Sequence, residues 1–229
     1  LPKAPPYRVI PHGIVPVRQE EVRPVEPTKS LENATVLFVG RLEKRKGVLD
    51  LFAAIPRVLQ QLPGIQFVVA GADNSVADGF QPRTGSSYPD YFAREHANAL
   101  ANVRFTGAVS EDELQRLYQQ CDLFVAPSLY ESFGLIYLEA MNYGKTVIGC
   151  STGGVPEVVE DGVTGLLVEP EAPQQLAEAI VKLLRNARLL YDYGLAGRAR
   201  LLERFTYLQM ARGFAELYQA TLAQQGAQK

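Results

Sequence analysis

Asp122-Leu123-Phe124-Val125-Ala126-Pro127-Ser128-Leu129-Tyr130-Glu131-Ser132-Phe133-Gly134-Leu135-Ile136-Tyr137-Leu138-Glu139-Ala140-Met141 is the stretch that decides the fold. Its first five residues form an apolar run closed by a proline, the signature of a buried strand. From Leu135 the spacing changes: Leu135, Leu138, Met141 and Asn142 recur at three and four residues, which predicts a helix. A strand therefore runs through a short polar loop straight into a helix N-terminus. In a parallel sheet that junction lies at the carboxyl edge, where ligands bind. Free backbone N–H groups and the positive end of the helix dipole favour an anion there.

Working outward, the same alternation fills the chain. Thr35-Val36-Leu37-Phe38-Val39 is a continuous apolar run ended by Gly40, and a strand apolar on both sides predicts a parallel sheet. A helix follows through Val48, Leu51, Phe52, Ile55, Leu59 and Leu62, with Pro56 expected to kink or break it. Ile65–Gly71 reads as the second strand and Val103–Gly107 as the third, with helix over 90–100 between them. The aperiodic stretch Ala72–Pro89 is expected to be a functional loop or a disordered excursion. Ser110 and Glu113 stand at capping-box spacing ahead of a helix with Leu114 and Leu117 inward. Lys145–Gly149 and Gly162–Val168 give two more strands around the short helix opened by Gly153-Gly154-Val155-Pro156-Glu157. Residues 172–186 and 187–203 are predicted helices. A final helix carries Tyr207, Met210, Phe214, Leu217 and Tyr218 on one stripe.

The predicted fold is α/β, a Rossmann-like doubly wound parallel sheet over residues 35–204. Residues 1–34, with prolines at 2, 5, 6, 11, 16, 24 and 27, read as a linker or hinge in which only Val9-Ile10 could pair as a strand. Residues 205–229 form a C-terminal helix and tail. The 229 residues are 47% hydrophobic, enough for a sizeable core. A net charge of −2 gives no reason to expect nucleic acid or an anionic membrane as partner. No apolar run reaches the roughly 20 residues that span a bilayer. The first residue is leucine and no signal-peptide pattern follows it, so an excised fragment or processed chain is expected. Cys121 precedes one strand and Cys150 follows another, at opposite ends of the sheet and beyond disulfide reach. Two reduced structural thiols predict a cytoplasmic setting.

Right-handed crossovers put every strand-to-helix loop on one edge. The loop Gly40-Arg41-Leu42-Glu43-Lys44-Arg45-Lys46-Gly47, the Gly107 turn, residues 131–135 and residues 153–157 converge there. A charge run is usually a solvated turn; against that, Arg41 and Lys46 lie in a glycine-flanked loop at the ligand edge, so both readings stand. Glu131 and Glu139 would repel an anion and are better suited to accept hydrogen bonds from hydroxyls. Phosphates in the middle and hydroxyl-rich sugars on either side describe a nucleotide-sugar. No Gly-x-Gly-x-x-Gly, Walker or Gly-x-Ser-x-Gly motif is present, and His12 and His96 have no partners at metal-ligand spacing. Glu157 reads as a helix-start carboxylate and His12 as a loop residue without chemistry.

The spacing Glu-x7-Glu from Glu131 to Glu139 sits within Pro127-Ser128-x-x-Glu131-Ser132-Phe133-Gly134-Leu135-x-x-x-Glu139-Ala140-Met141. With Val39-Gly40-Arg41-Leu42 and Lys46-Gly47, Asn102–Gly107, and Gly153-Gly154-x-Pro156-Glu157 followed by Gly162-x-x-Gly165, it resembles the group 1 family of retaining GT-B glycosyltransferases. The similarity runs over about 7–220 and fits the C-terminal, donor-binding half of such an enzyme; position 12, commonly asparagine in the family, is histidine here.

The resemblance implies roles. Arg41 and Lys46 would hold the donor diphosphate and, with Glu131 on the sugar hydroxyls, form the catalytic set. The backbone of Gly40, Gly107, Ser132, Phe133, Gly134 and Leu135 would line the donor, Val109 would meet the base, and Glu139 the ribose hydroxyls. No metal or other cofactor is implied. The expected reaction is transfer of a sugar, with a UDP-sugar favoured, to a saccharide or other hydroxyl acceptor in polysaccharide biosynthesis, with the acceptor half supplied by an N-terminal domain. Any contact with a membrane surface would run through that half, and these residues alone are expected to be inactive. A non-catalytic nucleotide-binding module and a GT-B phosphorylase or epimerase are the alternatives. Pairing of two copies through residues 205–222 is a further expectation.

Overall fold

The computed structural model describes residues 8–226; Pro2, Pro5 and Pro6 of the expected linker and the last residues of the tail lie outside them. Strands β1 (Thr35–Val39), β2 (Gln66–Ala70), β3 (Val103–Gly107), β4 (Leu123–Ala126), β5 (Thr146–Cys150) and β6 (Gly165–Val168) form one sheet in the order β3-β2-β1-β4-β5-β6. Every pairing is parallel, as the apolar runs predict. The pleat divides each strand between two cores. Val36, Phe38, Leu123 and Val125 face one side, where α1 (Val48–Gln61) and α7 (Pro173–Leu184) pack together. Leu37, Phe124 and Ala126 face the other, covered by α4 (Glu111–Gln120), α5 (Leu135–Asn142) and α8 (Ala187–Arg204).

From β1 the chain winds outward to β3, then returns to β4 and winds the other way. β1 and β4 are neighbours, with Val36 opposite Leu123 and Leu37 opposite Phe124. The strand order thus reverses between them, and the loops leaving these two strands flank the crevice where doubly wound sheets take ligands. Those loops are 40–47 and 127–134.

Four expectations are corrected. Pro56 lies inside α1 without breaking it, because Leu51, Phe52, Ile55 and Val58 are buried against the sheet and α7. Their burial outweighs the roughly 3 kcal/mol that an interior proline costs. The stretch 72–89 is ordered. It contains α2 (Phe80–Thr84) and leads into α3 (Tyr88–Glu95), and Phe80 stacks on Tyr88 with centroids 4.1 Å apart. Asp78 ties this excursion down by accepting from Tyr88 Oη at 2.5 Å and from Lys44 N at 2.9 Å.

The segment expected as a linker is a strap packed on the domain from residue 14 onward. Val22, Val25 and Leu31 are buried, and Asn142 bonds Val15 O and Val17 N at 2.9 and 3.0 Å. Ile14, rather than Val9-Ile10, makes the strand-like bridge, to Thr206. Finally, Leu135 is exposed, because it opens the first turn of α5, and the inward face of that helix is Tyr137, Leu138, Met141 and Asn142.

Cys121 and Cys150 are free and buried, and burial pushes both thiols up to about 12. The last helix, α9 (Tyr207–Gly226), leaves Tyr207, Leu208, Phe214, Tyr218 and Leu222 exposed. No helix among the described residues is long and apolar enough to cross a membrane.

Candidate functional site

The loop between β4 and α5 is shaped by what presses on it. Gly134, at φ +94°, is the N-cap of α5, a left-handed conformation that side chains avoid. Beneath the loop lie Gly153 and Gly154. A Cβ at Gly153 would meet Glu131 O at 2.1 Å and one at Gly154 would meet Ser132 O at 2.3 Å. Gly154 N also donates to Glu131 O at 2.8 Å. These glycines therefore work as a floor for residues 131–133. On the opposite side Leu129 N donates to Arg45 O at 2.9 Å, which joins this loop to the one leaving β1.

Between the two loops is a cavity of about 230 Å³ lined by Lys46, Glu131, Ser132, Phe133, Gly134, Leu135, Ile136 and His12. Lys46 Nζ is 2.5 Å from Glu131 Oε1, and Ser128 Oγ donates to the same oxygen at 3.0 Å. Both charged side chains are largely buried, at 15% and 11% exposure. The first N–H groups of α5 have no partner within the helix, and Gly134, Leu135 and Ile136 at its start line this cavity. A cation and a helix N-terminus thus stand on one side of a carboxylate. An anion can bind the first two while hydroxyls donate to the third.

Of the other basic residues of the loop, Arg45 reaches Glu131 Oε2 at 4.0 Å through Nη1 but is held mainly by Glu43. Glu43, only 6% exposed, binds Arg45 Nη2 at 3.0 Å, Asn74 Nδ2 at 3.0 Å and Arg41 Nη2 at 3.6 Å. Arg41 is well exposed and faces a separate hollow with Lys44, Arg45, Asp78 and Leu129. Gly40 lies beside the Lys46 stem, since a Cβ on it would stand 3.8 Å from Lys46 Cδ.

Glu139 opens on a third cavity, of about 420 Å³, shared by α4, α5 and strap residues 14–18. Tyr118 Oη donates to Glu139 Oε2 at 2.8 Å. Burial raises this carboxyl above its ordinary range and Glu111 adds to the rise, while the Tyr118 bond opposes it. Gly107, at φ +67°, ends β3; half-buried Val109 follows, just ahead of Ser110, which caps α4 by accepting from Glu113 N at 3.3 Å. Glu111, one residue further on, lines the Glu139 cavity.

The residues singled out from the sequence are divided among three hollows, and Gly40, Gly107 and Val109 line none of them. Lys46, Glu131 and Ser132–Leu135 share one, Arg41 lies in the second, and Glu139 in the third. Sequence reading missed Ser128, Glu43 and Tyr118, which act on charged residues through side-chain contacts and follow no periodic signal. It also set His12 aside, yet His12 lies on the rim of the Lys46 cavity with its ring edge-on to Phe133 at 5.4 Å. Among the described residues no cluster of His, Cys, Asp and Glu is arranged to hold a metal.

Comparison with known proteins fits this geometry. Alpha-maltose-1-phosphate synthase of Mycolicibacterium smegmatis is 33% identical over 210 residues, covering 84% of this chain and 49% of that protein. Glycogen synthase of Mycobacterium tuberculosis is 34% identical over 187 residues, covering 82% of this chain and 42% of that protein. Among solved structures, sucrose-phosphate synthase from Thermosynechococcus elongatus superposes with a TM-score of 0.78 at 31% identity, over 96% of this chain and 54% of its own. Anabaena Alr3699/HepE, solved in complex with UDP and glucose, gives 0.71 at 26% identity, over 83% and 49%. The chain spans about half the length of the relatives it matches. The profile of the family described as glycosyl transferases group 1 matches residues 19–200, and the chain belongs to that family.

Proposed function

We propose that this chain is the donor-binding half of a glycosyltransferase that moves a sugar, with retention, from a nucleotide-sugar to a hydroxyl acceptor. The observation that carries the reading is the Lys46–Glu131 pair, 2.5 Å apart at the mouth of α5. Charge develops on the diphosphate as the glycosidic bond breaks and its electron pair leaves with the nucleotide. Lys46, the first N–H groups of α5 and the exposed Arg41 compensate that charge, and no metal is assigned to the task. Glu131 accepts from the sugar hydroxyls and so sets the position of the transferred ring. Gly40 and Gly107 border the donor, Val109 meets the base, and Glu139 takes the ribose hydroxyls.

The donor favoured is a UDP-sugar, a choice supported by the UDP and UDP-glucose complexes of Anabaena Alr3699/HepE. The acceptor site belongs to an N-terminal half outside these residues, which is supported by the half-length coverage of the relatives. A cytoplasmic setting is part of the same proposal and rests on the two free thiols.

Calorimetric titration of the chain with UDP-, GDP- and ADP-sugars tests the reading. One of them should bind, UDP-sugar most tightly, and Lys46→Ala should weaken it at least tenfold. Equal binding by the Lys46 variant would remove the central assignment. Sugar transfer by residues 1–229 alone would remove the division into halves.

A further inference from the structure

Tyr118 has no role in the chemistry above, yet it meets one of its members in a way core packing does not require. It is buried at 2% exposure near the end of α4. Its ring stacks on Tyr143 with centroids 5.9 Å apart and 11° between planes, and it also leans on Phe124 at 5.7 Å. These contacts would be served equally by phenylalanine. The hydroxyl is the part that needs explaining, since burying it without a partner would be costly. Its partner is Glu139 Oε2, at 2.8 Å.

We infer that Tyr118 is a positioning residue that fixes the Glu139 carboxylate for the vicinal hydroxyls of a ribose, a step that rests on the donor-binding reading above. The stacked ring cannot swing away, so Oε2 stays engaged and Oε1 is the oxygen left for a ligand in the cavity between α4, α5 and the strap. Burial first, and the charge of Glu139 next, hold the phenol far above its ordinary range, so it remains a donor wherever the carboxylate is charged. Its bond also opposes the rise that burial and Glu111 impose on the Glu139 carboxyl. Glu111 and Tyr118 on α4, Tyr143 at the end of α5, and Arg18 and Glu21 of the strap are the other ionisable groups facing this cavity.

Two consequences separate positioning from packing. Glu139 held in one orientation should make the site prefer ribonucleotides over 2′-deoxyribonucleotides. Loss of the donor should raise the carboxyl's pKa, so the acid limb of ribonucleotide affinity should move to higher pH. The deoxy analogue serves as control for titration of the phosphates themselves.

The test is calorimetry on the full chain, wild type and the Tyr118→Phe and Glu139→Gln variants, between about pH 5 and 8. The probes are UDP, GDP and ADP, each with its 2′-deoxy analogue, and thermal melts check folding. For the nucleotide that binds, Tyr118→Phe should lower ribonucleotide affinity about tenfold, leave deoxyribonucleotide affinity nearly unchanged and shift the acid limb upward. Glu139→Gln should abolish the ribose preference and the limb together. If Glu139→Gln has that effect while Tyr118→Phe keeps both the wild-type preference and the wild-type limb, Tyr118 is a packing residue and the inference is wrong, whatever its melting temperature. If no diphosphate binds, or Glu139→Gln changes nothing, the donor-binding reading fails and takes this inference with it.

Discussion

Lys46 Nζ stands 2.5 Å from Glu131 Oε1, and both side chains are mostly withdrawn from solvent. Each charge is paired with the other. Under the proposed function, a diphosphate at Lys46 and hydroxyls at Glu131 would find the two groups already ordered and desolvated, so little reorganisation would be left for the bound state. The same burial makes the pair fragile to one-sided change. Lys46→Met leaves a buried carboxylate with Ser128 and the distant Arg45 as its partners, and should destabilise the fold by about 2–3 kcal/mol. Glu131→Gln, which keeps the shape and removes the charge, should cost less in stability. A denaturant series on both single variants and the double variant measures the coupling. A double variant as unstable as the sum of the singles would mean the two charges do not depend on each other.

Glu139 gives a prediction with the opposite sign. Its carboxyl is raised above the ordinary value of 4.5, by burial first and Glu111 second. The folded state therefore holds the proton more tightly than the unfolded chain, and stability falls as pH rises above about 4.5 through the raised value. Ionised Glu139 is thus a liability to the fold at neutral pH. Glu139→Gln should melt higher than wild type at pH 7, and the gap should close as the pH approaches 4. The same substitution should weaken nucleotide binding about tenfold, because a charge-assisted acceptor is lost. A variant less stable than wild type at pH 7 would contradict the assigned burial.

Gly154→Ala isolates the floor beneath the loop. Gly154 has ordinary backbone angles, φ −86° and ψ 0°, so alanine incurs no dihedral strain there. Its Cβ would nevertheless stand 2.3 Å from Ser132 O and 3.0 Å from Phe133 Cα, and the backbone of the loop must move. The expected result is a loss of about 1–3 kcal/mol in stability with a tenfold or greater loss of nucleotide-sugar affinity. Normal affinity in a folded Gly154→Ala variant would show that the position of residues 131–134 is not critical to binding.

Much of this was readable from residues 35–168 because local pattern and tertiary structure agree there. Runs such as Thr35–Val39 and Leu123–Ala126 are apolar because both faces of a central parallel strand are covered, and the position of Glu131 and Glu139 follows from the strand-loop-helix reading. The failures arise where distant groups decide. Pro56 argues locally for a break and is overruled by the packing of α1 on α7. Strap residues 14–34 contain no repeating pattern; Val17 is held by Asn142 and Arg198 and Lys29 by Asp122, each more than 80 residues away in sequence. Tyr118 looks like any inward aromatic of an amphipathic helix, and only the fold brings Glu139 to its hydroxyl.

The last prediction concerns α9. Leu208, Phe214, Tyr218 and Leu222 are all at least 40% exposed along one helix, while Met210 and Leu217 are half-buried. An apolar face of this kind in water favours association. In residues 1–229 taken alone, two copies should pair through 205–222, so light scattering should show the weight-average mass rising from one chain toward two with concentration. Replacing Phe214 and Tyr218 with serine should return the protein to a single chain without lowering nucleotide affinity, since neither residue lines the Lys46 or Glu139 cavities. A wild-type chain that stays monomeric at high concentration would leave α9 without a self-partner. The same serine variant abolishing nucleotide binding would instead tie this helix to the site.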